Sequence, residues 1–375
     1  MAITGLSGNE IYCLNLKGLS PGNLVLGNSV FSMGFLGGIG SGVRGFVGGE
    51  ITQYTSIISE GRRLALQRLE GEVSNNAGVG STGISTELVM HAGNIEFLSI
   101  GSTLHSTSGQ AIKKFGSSAD GQELYCQIDS GYSPVAFVFG NVAYSIGVGR
   151  SFLGGLKTLR RGEISEYTDI FTKTRNLALD RIVQDASSKG ANSVVGIKTT
   201  IIPFASYGVQ EMLMVGTASS NSNLSSGSIV TSDLTSQEMW NVTKMGYSPI
   251  KLLLGTSVYS LGFVGGIGAT LKSFVKGEIS QLTSLIYEAR EKSLGKISDE
   301  ANTVGADAVL GVKTYVYSLG SGLIEFLAIG TAVKRNSNVS TATTDLIPQA
   351  IISDKDTFFN SADFTFGIDL NNSIR

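Results

Sequence analysis

Histidine and cysteine are scarce in this chain of 375 residues, which contains only two of each. Soft and transition metals are usually held by clusters of these residues, so the sequence predicts no metal site and no cofactor. The two cysteines, Cys13 and Cys126, are too few for a disulfide framework, and they predict a reducing, cytoplasmic compartment.

Charge is also low, because charged residues make up 15% of the chain and the net charge is −2. Nucleic-acid binding depends on a broad basic surface, so we expect no nucleic-acid partner. Soluble domains usually have about 25% charged residues. The low value predicts that other subunits cover part of the surface.

Long apolar runs are missing too. No stretch of about 18 apolar residues could cross a membrane as a helix, and the first ten residues lack the pattern of a secretory signal. Proline is rare, with 5 residues, whereas glycine is abundant, with 49. Because the glycines are spread through apolar segments, they predict close packing and turns rather than disorder.

The chain contains three copies of one pattern. Gly131-Tyr-Ser-Pro134 returns as Gly246-Tyr-Ser-Pro249 and, more weakly, as Gly18-Leu-Ser-Pro21. The copies are offset by 113 and 115 residues, without a gap from their opening glutamates to three equivalent glycines: Glu10, Glu123, Glu238, Gly83, Gly196 and Gly311. We therefore predict three tandem domains and a tail: repeat 1 (8–106), repeat 2 (121–218), repeat 3 (236–335) and the C-terminal tail (336–375).

Each repeat is predicted to be a small α+β domain. A strand such as residues 252–261 precedes a Gly-rich segment and then a helix of about twenty residues, whose apolar positions lie on one face. Gly190 and Gly305 are typical of the position just after a helix. Two apolar segments with a short connection, such as 193–202 and 209–216, predict an antiparallel hairpin.

The hairpin strands are apolar almost continuously, so both faces of the sheet should be buried. A domain of about 100 residues with a helix on one face cannot achieve this alone. We therefore expect the sheets of different repeats, and of different chains, to pack together.

Several segments of the repeats resemble those of a known family. The segment Gly305-Ala-Asp-Ala-Val-Leu-Gly-Val-Lys313, the helix with Glu288-Ala-Arg290 before it, and the strand 212–218 resemble the YbjQ-like family. The resemblance covers each repeat from its first strand to its last. It is strongest in repeat 3 and weakest in repeat 1, where Asn76-Ala-Gly-Val-Gly80 departs from the pattern.

The resemblance implies a dodecin-like fold, in which a small sheet wraps a long helix, and a homo-oligomer with five-fold symmetry. It also implies heavy-metal binding, which the residues do not favour. Cys13 and Cys126 occupy equivalent positions, but repeat 3 has Asn241 there, so we predict small buried side chains on a strand. His91 and His105 both fall in repeat 1 and are predicted to be strand or surface residues rather than ligands.

Equivalent arginines lie inside the apolar stripe of the predicted helix, about 80° from its first apolar position. They are Arg62, Arg175 and Arg290. A buried arginine needs a carboxylate partner, and two sets of glutamates recur. Glu50, Glu163 and Glu278 lie near the helix start, and Glu96, Glu211 and Glu325 lie on the last strand. We predict a structural ion pair with one of these sets, or with an acidic group across an interface; the alternative is an anion or ligand site.

The Gly-rich segments carry basic residues, such as Lys272 and Lys276 in repeat 3 and Arg160 and Arg161 in repeat 2. This pattern predicts basic amphipathic helices, which we expect to be buried in an oligomer interface. The alternative is that these helices bind a membrane surface. Alternating residues between 358 and 366 could add a strand to a neighbouring sheet.

No Ser-His-Asp set, catalytic carboxylate pair or Cys-His pair can be built once per repeat, so the chain is not predicted to be an enzyme. The leading hypothesis is a non-catalytic protein that partners itself in a closed ring or cage. One alternative is a module that binds a metal or small ligand between domains. The other is a peripheral membrane oligomer that uses the Gly-rich helices.

Overall fold

The computed structural model describes residues 2–32, 49–91, 93–107, 112–145, 162–204, 209–224, 227–261, 280–320 and 323–346. The basic Gly-rich segments and the strand expected in the C-terminal tail lie outside these ranges. The described part is a mixed α+β structure made of three similar units in tandem.

Two kinds of helix recur in the units. Short helices open them, and long helices form their centres: α1 (Gly8–Asn15), α2 (Thr52–Asn75), α3 (Gly121–Asp129), α4 (Ser165–Ser188), α5 (Ser236–Lys244) and α6 (Ser280–Thr303). Gly190 and Gly305 follow α4 and α6 with φ of +75° and +66°, where a residue without Cβ ends a helix at little cost. No helix within these ranges has an apolar stretch long enough to cross a membrane.

The short helices correct the prediction that Cys13 and Cys126 lie on strands, because both are buried residues of helices, α1 and α3. Each short helix begins with a capping box, in which the N-cap side chain and a glutamate three residues later satisfy each other's backbone N–H groups. The pairs are Ser7 with Glu10, Asp120 with Glu123, and Thr235 with Glu238.

Each unit contains three long strands. In chain order the strands are β1 (Leu19–Ser32), β2 (Gly49–Glu50), β3 (Gly80–His91), β4 (Asn94–Ser106), β5 (Phe115–Gly116), β6 (Ser133–Ser145), β7 (Gly162–Glu163), β8 (Ser193–Phe204), β9 (Val209–Ser220), β10 (Val230–Thr231), β11 (Tyr247–Ser260), β12 (Ala308–Gly320) and β13 (Leu323–Arg335). The last two long strands of each unit form the expected antiparallel hairpin, and the second of them also pairs with the first strand of the unit.

The two-residue strands tie the units together. β2 leaves repeat 1 and pairs with β6 at the edge of the second sheet, and β7 leaves repeat 2 and pairs with β11 in the third sheet. The sheet orders are therefore β1-β4-β3-β5, β10-β8-β9-β6-β2 and β12-β13-β11-β7.

A glycine in the first long strand of each unit lets the long helix touch the sheet backbone. A Cβ added at Gly27, Gly140 or Gly255 would overlap the backbone carbonyl of the helix residue opposite. Glycine is therefore required here by the close approach of two backbones, as its abundance in apolar segments predicted.

The opposite face of each covered sheet lies against the long helix of the preceding unit, so the sheets of neighbouring repeats pack on a helix and not, as expected, on each other. In repeat 2, Phe137 and Phe139 share one apolar cluster with Leu66 and Leu69 of α2. Helix α4 likewise lies between its own sheet and the third sheet, because Leu179 and Ile182 cluster with Val138, Val142, Leu252 and Leu254. The units therefore stack as alternating sheets and helices.

Candidate assembly interface

An ion pair lies at the centre of the junction between repeats 1 and 2. The Arg62 Nε and Nη2 atoms donate to the two Glu211 carboxylate oxygens at 3.2 and 2.7 Å, and Nη1 donates to Thr86 Oγ1 at 3.1 Å. Neither charged side chain is exposed to solvent. Two parallel hydrogen bonds to a planar carboxylate fix the direction in which the helix faces the next sheet.

The same pair recurs between repeats 2 and 3. Arg175 Nε and Nη2 donate to Glu325 at 2.9 and 2.6 Å, and the guanidinium lies 4.6 Å from the ring centre of Tyr144. Burial alone would lower the pKa of Arg175, but the adjacent Glu325 carboxylate and Tyr144 raise it above its ordinary value. The arginine therefore stays charged inside the stack.

The glutamates near the helix start have a different partner. Glu50 lies in β2 and accepts a hydrogen bond from Arg181 of repeat 2 at 2.7 Å, and Glu163 lies in β7, 2.6 Å from Lys292 Nζ of repeat 3. These pairs are partly exposed and are expected to contribute little. Glu278 lies outside the described residues.

The third predicted arginine and the first strand glutamate are not brought together. Arg290 is exposed on α6, and within the described ranges no carboxylate is close enough to form an ion pair with it. Glu96 accepts hydrogen bonds from the Asn28 amide at 2.9 Å and pairs with the His91 ring at 2.7 Å. The hydrogen bond from Asn28, and then that from His91, lower the pKa of Glu96, which is therefore ionised at neutral pH.

Backbone hydrogen bonds repeat at the same junctions. The Ala143 amide of repeat 2 donates to Thr55 Oγ1 of α2 at 2.9 Å, and the Val258 amide of repeat 3 donates to Thr168 Oγ1 of α4 at the same distance. A threonine at the start of each helix thus satisfies an edge amide of the following sheet, as a buried donor requires.

The linkers between repeats also form part of the junctions. In the first linker, β5 pairs in parallel with β3 of repeat 1, and the Ser118 amide that follows β5 donates to Thr217 Oγ1 of repeat 2 at 3.0 Å. In the second linker, β10 pairs in parallel with β8 of repeat 2, and the Asp233 amide that follows β10 donates to Thr331 Oγ1 of repeat 3 at 3.0 Å. Each linker therefore covers the preceding sheet edge while it joins the following unit.

The short helices meet at Asp129, which contacts all three units. Its carboxylate lies 2.5 Å from Lys17 Nζ and accepts from Trp240 Nε1 and Thr343 Oγ1, both at 2.7 Å. Burial tends to raise the pKa of Asp129, but hydrogen bonds from Lys17, Thr343 and Trp240 lower it below its ordinary value. Sequence comparison between repeats missed this residue, because the equivalent positions are Leu16 and Lys244.

The cysteines are placed for packing rather than for chemistry. Both are buried in one cluster with Tyr125 and Trp240. Burial raises the pKa of Cys126 to about 12, with a smaller contribution from Cys13. A thiol of this kind is a poor nucleophile and a poor metal ligand at neutral pH. The part of the chain that the structure describes contains no group of three His, Cys, Asp or Glu residues that could hold a metal ion.

The known proteins that resemble this chain also match it repeat by repeat. The YbjQ family model, whose description reads "Putative heavy-metal-binding", matches the chain three times, at residues 20–93, 132–221 and 241–336. Together these matches cover more than half of the chain.

Individual relatives match one or several repeats. An encapsulin nanocompartment protein of Mycobacterium tuberculosis is 29% identical over 247 residues, which are 63% of this chain and 92% of that protein. A UPF0145 protein of Vibrio campbellii is 44% identical over 81 residues, 22% of this chain and 77% of its own. A UPF0145 protein of Thermosipho africanus is 40% identical over 92 residues, 24% of this chain and 85% of its own. No solved structure matches the chain.

Proposed function

Because the chain belongs to the YbjQ-like family, as a member with three tandem copies, we propose that it is a non-catalytic, cytoplasmic protein that assembles with itself into a closed ring or cage. In this proposal each predicted repeat is one domain with a dodecin-like arrangement of a sheet and a long helix. The name of the mycobacterial relative, which refers to a nanocompartment, agrees with an assembly role.

One observation carries the proposal. Two junctions inside the chain have the same construction, with a helix between two sheets and a buried Arg–Glu pair at the centre. In the described part of the chain, the first sheet and helix α6 each present one half of such a junction without the other half. Heterologous interfaces of this kind generate rings when their rotation closes.

The first test is the particle mass of the untagged, full-length protein, measured by mass photometry. A closed assembly predicts one discrete species that is an integer multiple of 39.3 kDa and does not grow with concentration. A particle of one chain at micromolar concentration would contradict the proposal. Negative-stain images of the same sample distinguish closed particles from open filaments.

Five-fold symmetry remains the arrangement suggested by the family. A cryo-EM reconstruction would count the domains around the symmetry axis. Five or a multiple of five domains would support the family pattern.

A further inference from the structure

The first sheet has a face that no other described residues cover, which we call the leading face. It carries Leu24, Leu26 and Val30, which are 45–59% exposed, whereas the equivalent residues of repeats 2 and 3 are at most 6% exposed. Those equivalents, such as Phe139 and Leu254, are covered by the long helix of the preceding unit. The leading face thus has the composition of a junction, but none of the described helices covers it.

In the described part of the last unit a second face is uncovered, which we call the trailing face. A groove of about 350 Å³ runs between α6 and β12. Its apolar lining includes Leu294, Ile297, Ala301 and Val312. The equivalent residues of repeat 2 are Leu179, Ile182, Ala186 and Ile197, which share a cluster with Leu252 and Leu254 of repeat 3. By equivalence, the side chains that would fill the empty groove are Leu24 and Leu26.

The charges of the two faces are also complementary. Arg290 of the trailing face is equivalent to Arg62 and Arg175, and Glu96 of the leading face is equivalent to Glu211 and Glu325. At both internal junctions these positions form the buried pair. In the described part of the chain Arg290 has no carboxylate partner, and Glu96 is held by Asn28 and His91 rather than by an arginine.

We propose that the trailing face of one chain docks on the leading face of a second copy, in the geometry of the internal junctions. Arg290 then pairs with Glu96 of the second copy, and Leu24 and Leu26 of that copy enter the groove beside α6. This inference rests on the proposed self-assembly and specifies the surface that carries it.

The short helices show how the chain-to-chain junction differs from the internal ones. At the first internal junction Lys17 pairs with Asp129 and lies 4.5 Å above the Tyr125 ring. The equivalent positions at the proposed junction are Met245 on one chain and Leu16 and Tyr12 on the next, all exposed. A methionine beside leucine and tyrosine forms an apolar contact in place of an ion pair. This difference gives the chains a register, because Met245 beside Asp129 would leave that carboxylate without its lysine partner.

The uncovered apolar residues support this assignment as a set. The exposed large apolar side chains of the described residues are Ile3, Tyr12, Leu16, Leu24, Leu26, Val30, Met90, Met245, Tyr287 and Val312. All of them lie in the first unit or in the last unit, and none of them lies in repeat 2. Concentration of apolar surface at two ends is typical of protein interfaces.

The test compares two aspartate substitutions in repeat 1. Leu26 and Met90 are almost equally exposed, at 48% and 47%, but Met90 pairs across the sheet with buried Ile95 and so faces away from the leading face. We expect Leu26→Asp to reduce the particle to a single chain and Met90→Asp to keep the wild-type mass, measured by mass photometry. Circular dichroism and thermal unfolding of both variants check that the repeats stay folded.

A charge exchange tests the proposed pair. Arg290→Glu should dissociate the assembly, because it places a second carboxylate against Glu96, and adding Glu96→Arg in the same chain should restore the wild-type particle. Failure of this rescue would overturn the assigned pair. A wild-type assembly that survives both Leu26→Asp and Arg290→Glu would overturn the docking surface while self-assembly stands. A wild-type protein that is itself a single chain would instead overturn the proposed function.

Discussion

Glu211 and Glu96 occupy the same position in two copies of one fold, yet their surroundings differ. Glu211 is fully buried and holds Arg62 of the preceding repeat with two hydrogen bonds. Glu96 is partly exposed and is held by Asn28 and His91 of its own repeat. The strand that carries Glu211 is covered by the helix of repeat 1, whereas the equivalent strand of repeat 1 is uncovered. The burial of the glutamate therefore depends on whether a helix lies on that face of the sheet.

The comparison extends to the apolar residues around each glutamate. Repeat 2 has a helix on each side of its sheet, one of its own and one from repeat 1. Among the described residues, the first sheet has only the helix of repeat 1 beside it. We therefore interpret the uncovered apolar face of repeat 1 as the surface on which the proposed second copy docks, rather than as the sign of a different kind of domain.

The largest expected effect separates the internal arginines from the terminal one. In the single-chain Leu26→Asp background, Arg175→Met should lower the free energy of unfolding by about 3–5 kcal/mol, because it leaves Glu325 buried and unpaired. Arg290→Met in the same background should change it by less than about 0.5 kcal/mol, since Arg290 is exposed there. Urea unfolding measures both values.

Adding Glu325→Leu to Arg175→Met tests whether the pair specifies the junction or merely stabilises it. Replacing both members by apolar residues should recover most of the lost stability. Equal losses for Arg175→Met and Arg290→Met would contradict the contrast between internal and terminal junctions.

The next effect compares two leucines at equivalent positions. Leu252 is fully buried in repeat 3 and Leu24 is largely exposed in repeat 1. Leu252→Ala should cost about 2–5 kcal/mol of unfolding free energy through the cavity it leaves, whereas Leu24→Ala should cost less than about 1 kcal/mol in the single-chain background. The same two substitutions in the assembled wild type should become similar in cost if Leu24 is buried there; a persistent difference would place Leu24 outside the interface.

A smaller effect depends on pH. The folded-state pKa of Asp129 is lowered, so its contribution to stability is present at neutral pH and is lost as the pH falls from about 5 toward that lowered value. Asp129→Asn should reduce stability at pH 7 by about 1–3 kcal/mol, and this difference from the wild type should shrink at pH 3. A difference that stays constant between the two pH values would show that the ionised carboxylate is not responsible.

The smallest effect concerns the apolar short-helix contact of the proposed chain junction. Replacing Leu16 by Asp and Met245 by Lys installs the charge pattern of the first internal junction. Assembly should persist and become weaker in high salt, because salt screens the attraction between two charges and does not screen the apolar contact that they replace. Mass photometry at low and high salt would show this, and salt-independent assembly of the variant would contradict it.

The sequence alone was sufficient to predict the repeats, the long helices and the hairpins, because each of these has a local pattern that recurs three times. The short helices also had a signal, since Ser7, Asp120 and Thr235 each precede a glutamate by three residues. That capping pattern identifies a helix start, although the same segments contain apolar residues that favour a strand.

Other features could not be predicted because they depend on packing between units. Nothing local to Glu211 distinguishes it from Glu96, and nothing local to Gly49 and Glu50 shows that they join the sheet of the following repeat. Asp129 has no equivalent in the other repeats, so comparison between copies could not single it out. These features depend on how neighbouring units pack against each other, which no local pattern encodes.

Mixing two variants that each lack one face tests the central claim most directly. Leu26→Asp blocks the leading face of one chain and Arg290→Glu blocks the trailing face of another, while each keeps the face that its partner needs. Native mass spectrometry should find each variant alone as a single chain of about 39.3 kDa and the mixture as a one-to-one dimer that grows no further. A mixture that stays monomeric, or a variant that assembles by itself, would contradict head-to-tail docking of the two faces.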